Sequence, residues 1–185
     1  MNVVSGGLYW FLHLDADAEE HALVKDVVDL FGIPFHIHQF FRADRALRLL
    51  AAEGIFADPR AYPFPKFVLM EYELAPRKAP QVVMGIRKLP RGKKMPIIVY
   101  ARGDSPANVA ACYQAGADYF LVKAIKPSRI KAILEALYEC QKESSSGFDS
   151  LCQLPEYRGA SSVLPNSPSE GRMPRLRTPG LVNGG

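Results

Sequence analysis

The chain has 185 residues, of which 48% are hydrophobic, and a formal net charge of +4 at pH 7. This length suffices for one α/β domain with a substantial core and an additional segment. No apolar run reaches the roughly 20 residues that a membrane span requires, and Met1–Gly7 lacks the basic and apolar regions of a signal peptide. Three cysteines without a CxxC spacing fit a reducing compartment. Composition therefore predicts a cytoplasmic chain without a membrane segment.

Five apolar runs alternate with five segments of helical periodicity. The runs are nearly continuous in hydrophobicity, which is typical of parallel strands covered on both faces. They are Leu8–Leu14, Pro34–Phe41, Lys66–Tyr72, Pro96–Ala101 and Asp118–Val122. The helical segments are Glu19–Phe31, Ala43–Glu53, Pro80–Leu89, Pro106 up to Gly116 and Pro127–Gln141. This alternation predicts a parallel sheet with right-handed crossovers.

The composition of the sequence changes after Gln141. Residues 142–185 contain eight Ser, six Gly and five Pro, with few periodic apolar positions. Such a composition buries too little surface to offset the entropy of ordering the chain. Residues 142–185 are therefore predicted to be a disordered tail that follows a folded domain at residues 1–141.

Candidate functional residues follow the predicted strands at their carboxyl ends. Asp15 and Asp17 come after the first strand, and Glu71 and Ala101 end the third and fourth. Lys123 follows the fifth strand, 22 residues after Ala101, which itself comes 30 residues after Glu71. Ligands of doubly wound sheets bind at this edge, so these residues are expected to line one pocket.

These strand ends and their spacing, together with the block Gly116–Lys123, resemble response-regulator receiver domains, the CheY-like phosphoacceptor modules of two-component signalling. The resemblance covers about residues 8–140. It implies a flavodoxin-like (βα)5 three-layer sandwich with parallel strand order 2-1-3-4-5. The sequence Gly32-Ile-Pro-Phe35 resembles more weakly the small stand-alone regulators that partner bacterial phytochromes.

The acidic pocket departs from the family pattern. Asp15 matches the first of the two adjacent acids that help to hold Mg²⁺ in receivers, but Ala16 takes the place of the second. Asp17 could substitute only if the turn shifts by one residue. Because Mg²⁺ requires near-octahedral oxygen geometry, its binding is expected to be weak or lost, and no other cofactor or metal is predicted.

Glu71 occupies the position of the acceptor aspartate. Its extra methylene moves the carboxylate further into the pocket, and a misplaced nucleophile loses orders of magnitude in rate. Glu71 is either a built-in partial mimic of the phosphorylated state or a structural partner of Lys123, and the structural interpretation is favoured. On that interpretation, Glu71→Ala is expected to destabilise the fold by leaving a charge unpaired.

The switch positions of the family are altered as well. Ala101 replaces the Ser or Thr that bonds the phosphoryl group, and Phe120 stands where the family has its rotating aromatic residue. Ala101 has no hydroxyl to donate. Lys123 is retained, but Ala124 replaces the proline that follows it. A non-proline cis bond costs about 2.5–4 kcal/mol, so a trans peptide is expected here.

Three histidines raise the question of a metal site. His36 and His38 share one face of the second strand, and His13 lies on the neighbouring strand. Convergence of the three would suit zinc or copper. Without an evident fourth ligand, ordinary buried or edge histidines are favoured. No recognised catalytic motif is present, so the chain is not expected to be an enzyme.

Functional residues of the family are replaced at the matching positions of this chain. These replacements predict a pseudo-receiver, an atypical response regulator that serves as a phosphorylation-independent protein-interaction module. By analogy with the family, its contact surface consists of parts of Ser105–Ala115 and Ser128–Gln141 with Phe120 at the edge. The partner would be a histidine kinase or another signalling protein, and the same face is expected to form homodimers.

Two alternatives remain open. In the first, Glu71, Asp15 or Asp17 accepts phosphate from a histidine kinase. In the second, a basic stretch binds nucleic acid, although a solvated helix face is the favoured interpretation of this stretch. The basic stretch is defined by eight cations with no acid among them: Arg77, Lys78, Arg87, Lys88, Arg91, Lys93, Lys94 and Arg102.

Overall fold

In a computed structural model of the chain, the described residues are 9–124, 126–141 and 152–160. The strands are β1 (Tyr9–Leu14), β2 (Phe35–Phe40), β3 (Val68–Glu71), β4 (Glu73–Leu74), β5 (Arg77–Lys78), β6 (Ile97–Ala101) and β7 (Tyr119–Val122). The α-helices are α1 (Ala18–Phe31), α2 (Ala43–Leu50), α3 (Ala79–Lys88), α4 (Pro106–Ala115) and α5 (Pro127–Gln141).

Five of the strands form one parallel sheet in the order β2-β1-β3-β6-β7. Counted without the short strands β4 and β5, this is the predicted order 2-1-3-4-5, so the flavodoxin-like topology is confirmed. All residues of β3 and β6 are buried, as their continuous hydrophobicity predicts for strands covered on both faces.

Two apolar cores lie on opposite faces of the sheet. One face packs against α2, α3 and α4 through residues such as Leu49, Val83 and Val109. The other packs against α1 and α5 through residues such as Val27 and Leu134. Alternate side chains of each strand therefore enter different layers, and the result is the expected three-layer sandwich.

Helix ends match several local signals and depart from others. Gly32 adopts the left-handed conformation after α1 (φ 59°), as expected for a helix C-cap. Helix α2 ends at Leu50, three residues before the predicted end, and a short 3₁₀ helix follows at Gly54–Ala57. The hairpin β4–β5 was not predicted, because two-residue strands carry no hydrophobic period.

Part of the predicted disordered tail is folded. Residues 142–151 and 161–185 lie outside the described residues, so the prediction stays untested there. Residues 152–160 instead pack against the edge of β7, where Tyr157 forms an antiparallel bridge with Leu121. Average composition concealed this short segment, for which the prediction is corrected. Within the described ranges, no helix is long and apolar enough to cross a membrane.

Candidate functional site

The predicted pocket residues meet at the carboxyl edge of the sheet. An open cleft of about 590 Å³ lies beside the ends of β1, β3, β6 and β7. Its lining includes every predicted pocket position except Phe120, namely Asp15, Asp17, Glu71, Ala101 and Lys123. The cleft includes the point between β1 and β3 at which the strand order reverses. Doubly wound sheets bind their ligands at this point.

Lys123 is the centre of the cluster. Its ammonium lies 2.5 Å from Glu71 Oε2, 2.9 Å from Asp15 Oδ2 and 3.2 Å from Glu20 Oε1. The side chain is only 6% exposed, and the three carboxylates are 2–14% exposed. One buried cation therefore serves three acids, and the predicted contact between Glu71 and Lys123 is present.

Glu71 is fixed through both carboxylate oxygens. While Oε2 faces Lys123, Oε1 accepts hydrogen bonds from the backbone N–H groups of Tyr72 at 2.8 Å and Glu73 at 3.3 Å. The turn that begins hairpin β4–β5 supplies these donors. A carboxylate held in this way cannot rotate towards an incoming reactant without breaking contacts with both sides of the cleft.

Asp15 belongs to a buried hydrogen-bond chain that the sequence did not reveal. Tyr100 donates its hydroxyl hydrogen to Asp15 Oδ2 at 2.6 Å, and His13 Nε2 lies 2.5 Å from the same hydroxyl oxygen. His21 Nε2 lies 2.9 Å from the backbone oxygen of Asp15. His13 is fully buried and Asp15 nearly so, so the chain connects Lys123 to the core beneath the sheet edge.

The cluster favours an ionised Asp15 and a protonated Lys123. Burial opposes the charge of Asp15, but hydrogen bonds from Tyr100 and Lys123 outweigh burial and lower the pKa of the carboxyl group. Burial likewise opposes the charge of Lys123, while Glu71 and Asp15 raise its pKa above the usual value. Burial, followed by the charge of Asp15, raises the pKa of Tyr100, which keeps its proton.

Asp17 and Arg102 form the outer rim of the cleft. Asp17 is the N-cap of α1, and its Oδ1 accepts the N–H of Glu19 at 2.9 Å. The exposed guanidinium of Arg102 lies 3.5 Å from Asp17 and 3.6 Å from Glu20. Asp17 is thus a capping residue at the entrance, and the turn has not moved it into the place of Ala16.

The switch positions are filled by apolar side chains. Ala101 is buried, and its backbone oxygen accepts the N–H of Lys123 at 2.7 Å. Phe120 is fully buried in the core formed with α4, so its expected place at the edge of a contact surface is corrected. In the described residues the cis peptide bond is Ala75–Pro76, and the Lys123–Ala124 bond is trans as predicted.

The oxygen atoms that Mg²⁺ would need are already engaged. Asp15 Oδ1 accepts the N–H of Asp17, and its Oδ2 accepts from Tyr100 and Lys123. Both oxygens of Glu71 are also occupied, and Ala16 offers none. Mg²⁺ takes near-ideal octahedral geometry and dehydrates reluctantly, so the residues present do not fit this ion without rearrangement of the whole cluster.

The three histidines do not converge. Trp10 lies between His36 and His38, with ring centroids 4.7 and 4.3 Å away. The strand register places His36 and His38 on one face of the sheet, and His13 alternates to the other. In the parts of the chain that the structure describes, no group of three potential metal ligands comes together.

Sequence reasoning missed Glu20, Tyr100, His13 and His21 as members of the site. Glu20 lies in the first turn of α1, where an acid also reads as an ordinary helix-start residue. Tyr100 precedes Ala101 on β6, a strand buried on both faces, whose sequence shows no polar alternation that would reveal the face its side chain enters.

Much of the basic stretch is engaged within the fold. Arg87 donates to the backbone oxygens of Gly92, Met95 and Gly116 and pairs with Asp118 at 2.7 Å. Arg91 stacks on Phe64 with 3.6 Å between the guanidinium carbon and the ring centroid. Lys78 pairs with Glu73, and Arg102 pairs with the cleft acids. These contacts leave fewer cations for phosphate groups than the sequence suggests.

Receiver domains of response regulators share this fold. RPA3017, from red light signalling in R. palustris, aligns with a TM-score of 0.65 at 17% identity over 76% of this chain and 96% of its own. The Mn²⁺-bound response regulator Rcp1 aligns with a TM-score of 0.61 at 18% identity, over 74% of this chain and 96% of its own. The phosphorylated cyanobacterial phytochrome response regulator RcpA aligns with a TM-score of 0.63 at 16% identity, over 73% of this chain and 94% of its own. The chain thus has the flavodoxin-like fold of receiver domains.

Sequence comparison points the same way. The two-component response regulator ORR11 of Oryza sativa, in the indica and japonica subspecies alike, is 21% identical over 122 residues. The aligned part is 66% of this chain and 76% of that protein. No protein-family model matches the chain.

The structure changes the reason why Glu71→Ala should destabilise the fold. Lys123 retains Asp15 and Glu20 in this variant, so its charge does not become unpaired. The variant instead deprives the N–H of Glu73 of its acceptor and weakens that of Tyr72. A loss of about 1–2 kcal/mol in the free energy of unfolding is expected, measured by urea titration. An unchanged or raised midpoint would show that Glu71 is not an accepting partner in the native state.

Proposed function

We propose that this chain is a pseudo-receiver, which binds a protein partner in a two-component-type pathway without being phosphorylated. One observation carries the proposal: the ammonium of Lys123 lies 2.5 Å from Glu71 and 2.9 Å from Asp15. The two carboxylates are therefore satisfied by the protein itself. The module acts by binding rather than by catalysis.

Three further features support loss of phosphotransfer. Ala16 and Ala101 lack the side-chain oxygen atoms that a metal or a phosphoryl group would contact. With all groups ionised, three acids and one lysine leave the inner cluster with an excess of two negative charges. That excess repels an anionic phosphate donor when no divalent cation offsets it. Mg²⁺ is accordingly expected to bind weakly or not at all.

A direct labelling experiment distinguishes the pseudo-receiver from the alternative, a phosphoacceptor with altered chemistry. The full chain is incubated with Mg²⁺ and acetyl phosphate, and intact mass is measured beside an active receiver domain as positive control. No mass increase is expected for this chain. Addition of a phosphoryl group that maps to Glu71, Asp15 or Asp17 would establish the alternative.

A restored pocket provides the matched variant for this experiment. The triple variant Ala16→Asp, Glu71→Asp and Ala101→Thr returns two metal-binding acids and a hydroxyl donor to their strand ends. It is expected to gain Mg²⁺-dependent labelling that the wild type lacks. Equal labelling of the wild type and the triple variant would contradict the proposal that these three positions removed the chemistry.

The proposed partner is a histidine kinase or another signalling protein. A homodimer through the face of α4, β7 and α5, where residues 152–160 cover the edge of β7, is a further outcome to test. Cytoplasmic location remains a prediction. The nucleic-acid alternative gains no support from the engaged cations of the basic stretch. Binding of that kind would weaken steeply with added salt, which a titration at two salt concentrations would detect.

A further inference from the structure

Residues 152–160, here named the return segment, add a strand-like edge to the sheet. The N–H of Val122 donates to the backbone oxygen of Glu156 at 2.7 Å, and the N–H of Arg158 donates to the oxygen of Phe120 at 2.9 Å. Tyr157 lies opposite Leu121 in an antiparallel bridge. The segment therefore satisfies the groups that an edge strand otherwise presents to other chains.

Side chains from both flanks hold the return segment in place. Arg129 of α5 makes a two-pronged contact with the carboxylate of Glu156, at 2.8 and 2.6 Å. On the other flank, Tyr113 of α4 donates its hydroxyl to the backbone oxygen of Arg158 at 2.5 Å. Arg158 also reaches Asp104, before α4, at 2.6 Å. Two-pronged arginine–carboxylate pairs add geometric specificity to binding energy.

Apolar contacts complete the fit. Leu154 and Tyr157 pack against the core that lies between the sheet and helices α1 and α5. The segment turns at 153–156 and pairs with the strand only around Tyr157. The groove thus recognises a short peptide by its backbone, one carboxylate, two apolar side chains and one cation. This combination is typical of strand addition at a sheet edge, in which backbone bonds give affinity and side-chain sites give specificity.

The connecting chain is long enough for the segment to bind its own domain. Helix α5 has 15 residues and is about 22 Å long. Ten residues separate Gln141 from Cys152 and can span about 33–36 Å. A tethered segment has an effective concentration in the millimolar range, so it outcompetes a free peptide present at micromolar concentration.

We propose that the edge of β7 is a docking site for a short partner peptide with the pattern apolar, acidic, aromatic, basic, and that the return segment is its resident intramolecular ligand. A partner strand of this chemistry binds only when the return segment is displaced. The proposal rests on the proposed function, since it names the surface and the peptide chemistry through which a partner would bind. Its peptide-binding test can fail while the phosphate-labelling test still supports a phosphorylation-independent module.

The test uses the full chain and a labelled synthetic peptide with the sequence of residues 152–160. The double variant Glu156→Gln, Arg158→Gln weakens the resident segment while leaving the groove intact. It is expected to bind the peptide at least about tenfold more tightly than the wild type. Adding Arg129→Gln should abolish that gain, and the control variant Gln153→Ala, at an exposed position, should behave as the wild type.

Hydrogen exchange of the Val122 amide gives a second, independent readout. Its exchange is expected to accelerate at least about tenfold in the double variant, while the amide of Val99 in the centre of the sheet is unaffected. Equal exchange of Val122 in the wild type and the double variant, or equal peptide affinity, would overturn the proposal. Protection of Val122 that declines on dilution of the wild type would also overturn it, since the segment would then come from a second copy.

Discussion

Replacing Lys123 with methionine is expected to lower the free energy of unfolding by about 3–5 kcal/mol. The variant removes the cation shared by Asp15, Glu20 and Glu71, all of which are at most 14% exposed. Asp15 and Glu71 then lose their countercharge at the sheet edge, while Glu20 keeps only the exposed guanidinium of Arg102 at 3.6 Å. Methionine keeps most of the side-chain volume, so the loss is electrostatic rather than a packing defect. Urea unfolding at neutral pH measures the effect.

Lys126→Met is the matched control for this variant. Lys126 is exposed at the start of the last helix, and surface substitutions of this kind usually change stability by less than about 0.5 kcal/mol. If Lys123→Met and Lys126→Met unfold at the same urea concentration, Lys123 does not hold the acids together, and the account of the pocket fails.

Acidification below pH 6.5 is expected to destabilise the chain through His13. Burial, with the neighbouring His21 as the second cause, lowers the pKa of His13 from 6.5 to about 3. Between these values the unfolded chain binds a proton that the folded chain does not. Stability therefore falls as the pH falls, by up to about 1.4 kcal/mol per pH unit for one proton.

Urea titrations from neutral pH down to about pH 4.5 test this dependence. Asp15 adds little in that window, because its lowered pKa lies below the ordinary value of 3.8. The variant His13→Gln should show a shallower decline than the wild type, and part of the decline should remain because burial also lowers the pKa of His38. Parallel curves for wild type and His13→Gln would show that His13 is not the group responsible.

The positions of the strands followed from the sequence for physical reasons, whereas their order was implied by the resemblance to receiver domains. Strands such as β3 and β6 are buried on both faces, so their hydrophobic runs are uninterrupted and easily located. Strand ends then fixed the neighbourhood of Asp15, Glu71 and Lys123, since parallel strands end at a common edge.

The hydrogen-bond chain through Tyr100 and His13 could not be predicted in the same way. A strand buried on both faces shows no polar alternation, and so its sequence does not reveal which face each side chain enters. The return segment escaped for a different reason. Its anchoring residues, Glu156, Tyr157 and Arg158, stand within 44 residues dominated by Ser, Gly and Pro, and composition averaged over that length hides them.

The most direct test of a phosphorylation-independent module is a ¹⁵N correlation spectrum of the full chain with Mg²⁺ and beryllofluoride, an acyl-phosphate mimic. The satisfied acids around Lys123 predict no shift of the amides of Glu71, Ala101 and Lys123. A saturable, Mg²⁺-dependent shift at these positions would contradict the account and indicate a receiver that is switched by phosphorylation.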